Sequence, residues 1–472
     1  MTSTGNETIQ LKPISARVRG EIEEEGKNRP DLEHTVKFTQ PNEEIEVVNS
    51  PTEAETYPEG GWKAYSVVFG SFLGLVAAFG TLNSIGAIQA YISTHQLKNI
   101  QTSTLSWIFS IYMALSFANC VFVGPLFDVR GAMLPMTIGT IFMVGGFFAV
   151  ANCSRVYQFI LALSLCVSTG NALVIAPLIG VLSHWFNINR GRAIGLATTG
   201  GSIGGIVVPI MLKSLFTKFG YTWTIRILAF FCLGCMIVSI NLCKSRFNRK
   251  ITKYSRSKGK FEQSLSYLKE LFDLKSLKDL KYVFCIVGTF ATELSLLSVL
   301  TYYSTYAIAQ GMSESQSFDL LTIFNAAGVL GRMVPGFLAD KVGNFNIMVL
   351  MLIGYSLSIL LLWVPFGYSF GVLYAFAVIC GFFSSSILSL TPVCLSSITP
   401  VDQFGQRYGL LYFFVSTGNL FGIPVSAAII GNGSKRNYQM FAVFCCVFAF
   451  VGTFFWYMSR FKSVGTKFNI KI

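Results

Sequence analysis

Glu293 and Arg332 stand inside two long apolar stretches, "FATELSLLSVLTYYSTYA" (290–307) and "NAAGVLGRMVPG" (325–336). A charge at membrane depth is costly, and it persists where it holds a polar solute, an ion or a proton. An acid and a base set this way can grip the polar edge of a small molecule. Covalent catalysis would need a His or Cys constellation, and the chain has three His in all. A second pair of acids repeats: Asp128 in "GPLFDVRG" (124–131) and Asp340 in "GFLADKVG" (336–343). The shared pattern is Gly-x-Leu-x-Asp-x-x-Gly, and 336 minus 124 gives a spacing of 212 residues, near half of 472. A pattern at that period reads as an internal repeat.

The surroundings that must position these groups are apolar throughout. Hydrophobic residues make up 52% of the chain and charged residues 12%, against about 25% charged in a soluble domain. Residues 1–63 are polar, with Glu21, Glu23, Glu24 and Glu25 clustered and no apolar core of a signal peptide, so a disordered tail is expected there. From Ala64 onward, stretches of about 20 apolar residues follow one another, each long enough to cross a bilayer as a helix. They read as 64–91, 107–127, 132–152, 157–184, 191–214, 222–243, 282–310, 316–338, 345–366, 368–395, 405–431 and 437–459.

The fold expected is all-α, twelve transmembrane helices in two bundles of six, 64–243 and 282–459. The interruption at 244–281 carries twelve Lys or Arg against four Asp or Glu, and such an excess marks the cytoplasmic side. Both tails, 1–63 and 460–472, then lie there too. Within the interruption Phe261, Leu265, Leu268 and Phe272 form a helical stripe. The net charge of +13 is read as topology and membrane-surface contact, with no nucleic acid as partner. The glycines at 200, 201, 204 and 205 form overlapping Gly-x-x-x-Gly pairs suited to close helix packing.

Two parallel six-helix repeats are how major facilitator transporters are built, and the Gly-x-Leu-x-Asp pattern resembles the one that superfamily carries between its helices two and three. That resemblance implies a latch in which Asp128 and Asp340, with Arg130, Arg190 and Arg192, close the cytoplasmic side. Capping of a tight turn is the other reading of the two acids. "YPEGGWKAY" (57–65) resembles the Asp-Gly-Gly-Trp signature of monocarboxylate transporters, with Glu59 in the Asp place. "WFNINRGRAIGLATTGGSIGG" (185–205) is similar to that family's second signature, with Arg190 and Arg192 as its basic turn. "FGTLNSIGAI", "GRMVPGFLADKVGNFNI" and "WVPFG" resemble a fungal branch that includes riboflavin transporters.

The resemblance implies that Arg332 binds a solute carboxylate or other polar edge; a structural tie to backbone carbonyls remains the alternative. It also exposes two departures. The family's helix-one Lys is Asn83 here, and its Asp one turn before the Arg is Gly328, which argues against lactate-like substrates. Tyr306, Phe79 and Tyr112 are placed to stack on a planar, hydrogen-bonding solute such as an isoalloxazine, with Tyr302 and Tyr303 reading equally as an interfacial belt. Glu293 is expected to carry a coupled proton or to pair with Arg226 or Arg332. The expected function is riboflavin uptake by facilitated diffusion, with substrate-binding residues Arg332, Glu293, Asn83, Tyr306, Phe79 and Tyr112. A proton-coupled symporter of organic anions and a transporter-like nutrient sensor are the alternatives. No enzyme activity, cofactor or metal is expected; the partners are the small solute and the lipid bilayer. A monomer in the plasma membrane is expected, with the vacuolar membrane as alternative.

Overall fold

The structure, a computed structural model of the chain, describes residues 57–98, 100, 102–246, 275–431 and 433–465. The expectations for residues 1–56, for the stripe from Phe261 to Phe272 and for the basic residues beyond 465 fall outside the described residues.

The described chain is helical, with no strand among the described residues. In order, the helices are α1 (Gly61–Asn83), α2 (Ile85–Thr94), α3 (Thr102–Ala118), α4 (Cys120–Arg130), α5 (Met133–Val150), α6 (Val156–Phe159), α7 (Ser168–Gly180) and α8 (Arg190–Leu242). There follow α9 (Leu280–Ala309), α10 (Glu314–Val342), α11 (Asn344–Ser358), α12 (Val364–Phe366), α13 (Phe370–Ser397), α14 (Phe404–Ile430) and α15 (Lys435–Val464). Wider π-turns at Ile160–Val167 and Ile359–Trp363 run on from α6 and α11. Among the described residues, eleven continuous helical runs are long and apolar enough to cross a membrane.

One boundary differs from the sequence expectation. A loop was expected between 214 and 222, yet α8 runs for 53 residues with Gly220 as its one non-helical position. A straight helix of that length would measure about 80 Å, well over twice the roughly 30 Å hydrocarbon core. Gly220 has φ 70, which a residue without Cβ adopts at little cost, so two helical stretches meet at a single residue.

The repeat is visible in the backbone. Helix-interior prolines occur at 125 and 335, at 177 and 392, and at 209 and 424. The spacings, 210, 215 and 215, match the 212 of the aspartate motif. Each proline removes one i→i−4 hydrogen bond and bends its helix, so corresponding helices of the two sets bend at corresponding places. Contacts between the early and late sets run along two main seams, α8 against α10 and α3 with α4 against α14.

Candidate functional site

The two seams are closed at one end by the two aspartates. Asp128 accepts hydrogen bonds from the backbone N–H of Gly405 (2.9 Å) and Gln406 (2.8 Å), in the first turn of α14. Asp340 accepts from the N–H of Gly191 (2.7 Å) and Arg192 (2.9 Å), in the first turn of α8. A helix N-terminus leaves its first N–H groups unpaired and carries a partial positive charge, so each carboxylate completes a helix belonging to the other set. This is a pair of matched clasps, and the turn-capping alternative does not describe what the carboxylates bind.

The glycines make that approach possible. A Cβ on Gly124 would meet the Gly405 carbonyl oxygen at 1.8 Å, and one on Gly336 would meet the Gly191 oxygen at 2.5 Å. Sequence reasoning missed the receiving side of the first clasp. The signal was available: "RGRAIGLA" (190–197) and "FGQRYGLL" (404–411) share Gly-x-x-x-Gly-Leu, 214 residues apart. Gly124→Ala is therefore expected to reach the membrane and slow transport by about five- to a hundredfold, since overpacking costs roughly 1–3 kcal/mol. Gly86→Ala, where a Cβ would meet nothing within 4 Å, should leave transport unchanged. Uptake measured against surface level in both variants checks this.

The basic residues divide. Arg190 is buried and donates to the carbonyls of Phe186 (3.0 Å) and Ser396 (3.0 Å) and to Asn187 Oδ1 (3.2 Å). The bond to Ser396, on α13, adds a third tie between the sets. Arg192 lies over the Phe337 ring, 4.9 Å from its centroid. Arg130 is exposed at the end of α4 and takes no part in either clasp. Glu59 accepts from the N–H groups of Asn187 (2.7 Å), Ile188 (2.7 Å) and Asn189 (3.0 Å). Among the described residues it is the one non-glycine with positive φ. It ties the start of α1 to the turn that leads into α8, so the two signature stretches touch.

Farther along the seams lie the intramembrane charges. Arg332, 4% exposed, crosses from α10 to α8, where Nη1 donates to the Thr198 carbonyl at 2.6 Å. Its guanidinium sits 6.0 Å from the Phe79 ring centroid, and a Cβ on Gly201 would strike its Nη1 at 2.6 Å. The four glycines thus serve two faces of α8. Gly200 and Gly204 press on the α1 backbone at Phe72 and Val76, while Gly201 and Gly205 leave room for Arg332 and for Asn83 with Asn325. Asn83 donates to the Gly201 carbonyl at 3.3 Å. Beside Gly328, where the resembled family has an acid, stand the Ser385 and Ser202 hydroxyls.

Glu293, 1% exposed, shares a hydrogen bond with the Tyr412 hydroxyl, and its Oε1 has no partner among the described residues. The same tyrosine is in electrostatic reach of Arg332, and its ring stacks on Phe117 at 5.3 Å and meets Tyr408 at 4.6 Å. Tyr412 is thus the partner of the acid that sequence reasoning missed. The pairing of Glu293 with Arg226 expected as one option is not formed: Arg226 donates to Asn152 Oδ1 at 3.3 Å and lies over Trp223.

Arg332, Phe79 and Asn83 come together around Gly201, and Glu293 shares its hydrogen bond with Tyr412. Tyr112 and Tyr306 are not part of that cluster. Tyr112 is buried within the early set, where Asn171 Nδ2 donates to its hydroxyl at 2.7 Å. Tyr306 packs edge-on against Trp363 (5.3 Å) and Tyr438 (5.4 Å) within the late set. Tyr303 likewise spends its hydroxyl on the Leu373 carbonyl.

Comparison with known proteins agrees with this architecture. Residues 68–349 and 311–469 match the Major Facilitator Superfamily. The riboflavin transporter MCH5 of Saccharomyces cerevisiae is 40% identical over 427 residues, which cover 89% of this chain and 82% of that protein. An MFS-type transporter of Gibberella moniliformis is 32% identical over 433 residues, 91% of this chain and 97% of the relative. The aspyridones efflux protein apdF of Emericella nidulans is 28% identical over 416 residues, 88% of this chain and 81% of the relative.

Proposed function

The chain belongs to the major facilitator superfamily and is a multi-pass membrane transporter, and on that premise we propose that it takes up riboflavin by facilitated diffusion. Counting α8 as two crossings joined at Gly220 makes twelve, in two bundles at 64–243 and 282–459. The Lys and Arg excess at 244–281 supports a cytoplasmic linker and cytoplasmic tails, 1–63 and 460–472. The clasps at Asp128 and Asp340 then close the cytoplasmic side, and opening them delivers the solute inward.

The observation that carries the substrate reading is a mixed lining. Arg332 and Glu293 are buried and charged, yet Asn83 and Gly328 stand where carboxylate-coupled carriers keep ionisable groups, and serine hydroxyls fill the space beside Gly328. Such a lining suits a planar, largely neutral solute with several polar edges better than a small carboxylate. The identity to a protein named as a riboflavin transporter supports the same choice. Arg332 and Glu293 hold polar edges, Asn83 adds a hydrogen bond, and Phe79 offers a ring face. The plasma membrane is the site of uptake.

The test is uptake of labelled riboflavin and labelled lactate in cells lacking their own systems for both. Saturable riboflavin entry without lactate entry is expected, and the reverse would overturn the reading. Entry should depend little on external pH and survive a protonophore. The free Oε1 of Glu293 favours one second reading, proton symport of an organic anion. Under that reading a protonophore would collapse accumulation, and Glu293→Gln would abolish coupling while leaving exchange.

A further inference from the structure

Asn419 is 1% exposed, yet neither its Oδ1 nor its Nδ2 has a hydrogen-bond partner among the described residues. A carboxamide offers an acceptor oxygen beside a donor NH2. Leaving both unpaired inside an apolar helix pack is unfavourable, so such a group persists where something from outside the chain completes it.

Its position indicates where that partner sits. On α14, Phe413, Phe421 and Val425 are exposed and mark the lipid side. Gly418 and Gly422 meet Phe290 and Leu294 of α9, and Ser426 donates to Ser298. Gly405 and Gly409 meet Gly124 and Cys120 of α4, and Tyr412 meets Phe117 of α3. At about 100° per residue, Asn419 falls between those two contact faces and opposite the exposed one. It lies on the stripe of Tyr412, two turns farther from the clasp, on the side of α14 where the two sets of helices meet.

Its level also matches other amides. Asn419 is 14 residues from Gly405, and Asn325 on α10 is 15 residues from Asp340, so both lie about 21–22 Å along their helices from a clasp. Asn83 and Asn325 both border Gly205. Arg332 and Tyr412 lie roughly 10 Å nearer the clasps.

We infer that Asn419 determines specificity by pairing head to tail with a cis-amide edge of the solute, an N–H beside a C=O. Ring lactams and imides carry that edge, the pyrimidinedione of a flavin among them; a carboxylate lacks the donor. The inference rests on the riboflavin reading only for which such solute is carried. Two neutral hydrogen bonds made together to one buried edge correspond to about tenfold or more in affinity.

The test is binding of riboflavin and N3-methylriboflavin to the purified full chain, followed by flavin fluorescence. The wild type should bind the methylated compound about tenfold or more weakly. Asn419→Ala should bind riboflavin as weakly as the wild type binds the methylated compound and no longer distinguish the two. Asn419→Gln, which keeps the amide, should retain part of the discrimination and shows that the position tolerates change. Variants that bind riboflavin normally, or that weaken both flavins equally, would overturn the inference. If the wild type binds uridine but no flavin, and N3-methylation of uridine matters only while Asn419 is present, the inference stands and the riboflavin reading fails. A wild type that binds neither compound sinks both.

Discussion

Arg332→Lys protein should reach the membrane at normal level and need roughly ten- to a hundredfold more riboflavin for half-saturation, because losing one charge-assisted hydrogen bond costs about 1.5–3 kcal/mol. Lysine keeps the positive charge but loses the planar fork that engages two acceptors at once. That fork has two tasks: Nη1 holds the Thr198 carbonyl across the α8–α10 seam, while Nε is buried with no partner among the described residues. The first is a tie between helices; under the proposed reading the second is the donor left for the solute. Arg332→Ala should do worse, since it leaves polar groups unpaired at depth and removes the cation beside the Phe79 ring. If Arg332 acts only as a tie, any lysine variant at the surface should show unchanged half-saturation. Surface level and riboflavin saturation measured on the same cells separate the two.

Asp340→Asn should slow turnover by about thirty- to a hundredfold while changing riboflavin binding little. The carboxylate accepts two N–H bonds at a helix N-terminus, and an amide in its place presents one oxygen and one unwanted donor. The loss is of order 2–3 kcal/mol in the clasped conformer alone. An interaction present in one of two states shifts their balance by its full value, which is why rate suffers and affinity does not. Asp128→Asn should behave alike, because its bonds to Gly405 and Gln406 are the repeat-related copy. Equal losses of binding and turnover would return both acids to a purely structural role. Separate measurement of equilibrium binding and initial uptake rate decides it.

The acids of the clasps were legible in the sequence because a carboxylate in a repeated pattern is conspicuous. Their receivers were not, because the groups that bind Asp128 are backbone N–H donors of Gly405 and Gln406 and carry no side-chain signature. Only the weaker Gly-x-x-x-Gly-Leu repeat points there. The spans were legible from hydropathy, as was a break between 214 and 222, but not its reduction to the single residue Gly220 with φ 70. Arg332 and Glu293 announced themselves as charges in apolar runs. Tyr412 and Asn419 did not, because one tyrosine or asparagine in an apolar helix looks the same whether it faces lipid, a neighbour or the interior. Aromatic type alone also did not separate Phe79 from Tyr112 and Tyr306, whose rings pack within one set of helices.

The most direct measurement is counterflow in sealed liposomes holding the purified full chain and preloaded with unlabelled riboflavin, with no ion gradient across the membrane. Labelled riboflavin outside should accumulate transiently to above its external concentration, and preloading with lactate should not support it. Counterflow with lactate but none with riboflavin, or riboflavin entry only when a proton gradient is imposed, would contradict facilitated diffusion of riboflavin.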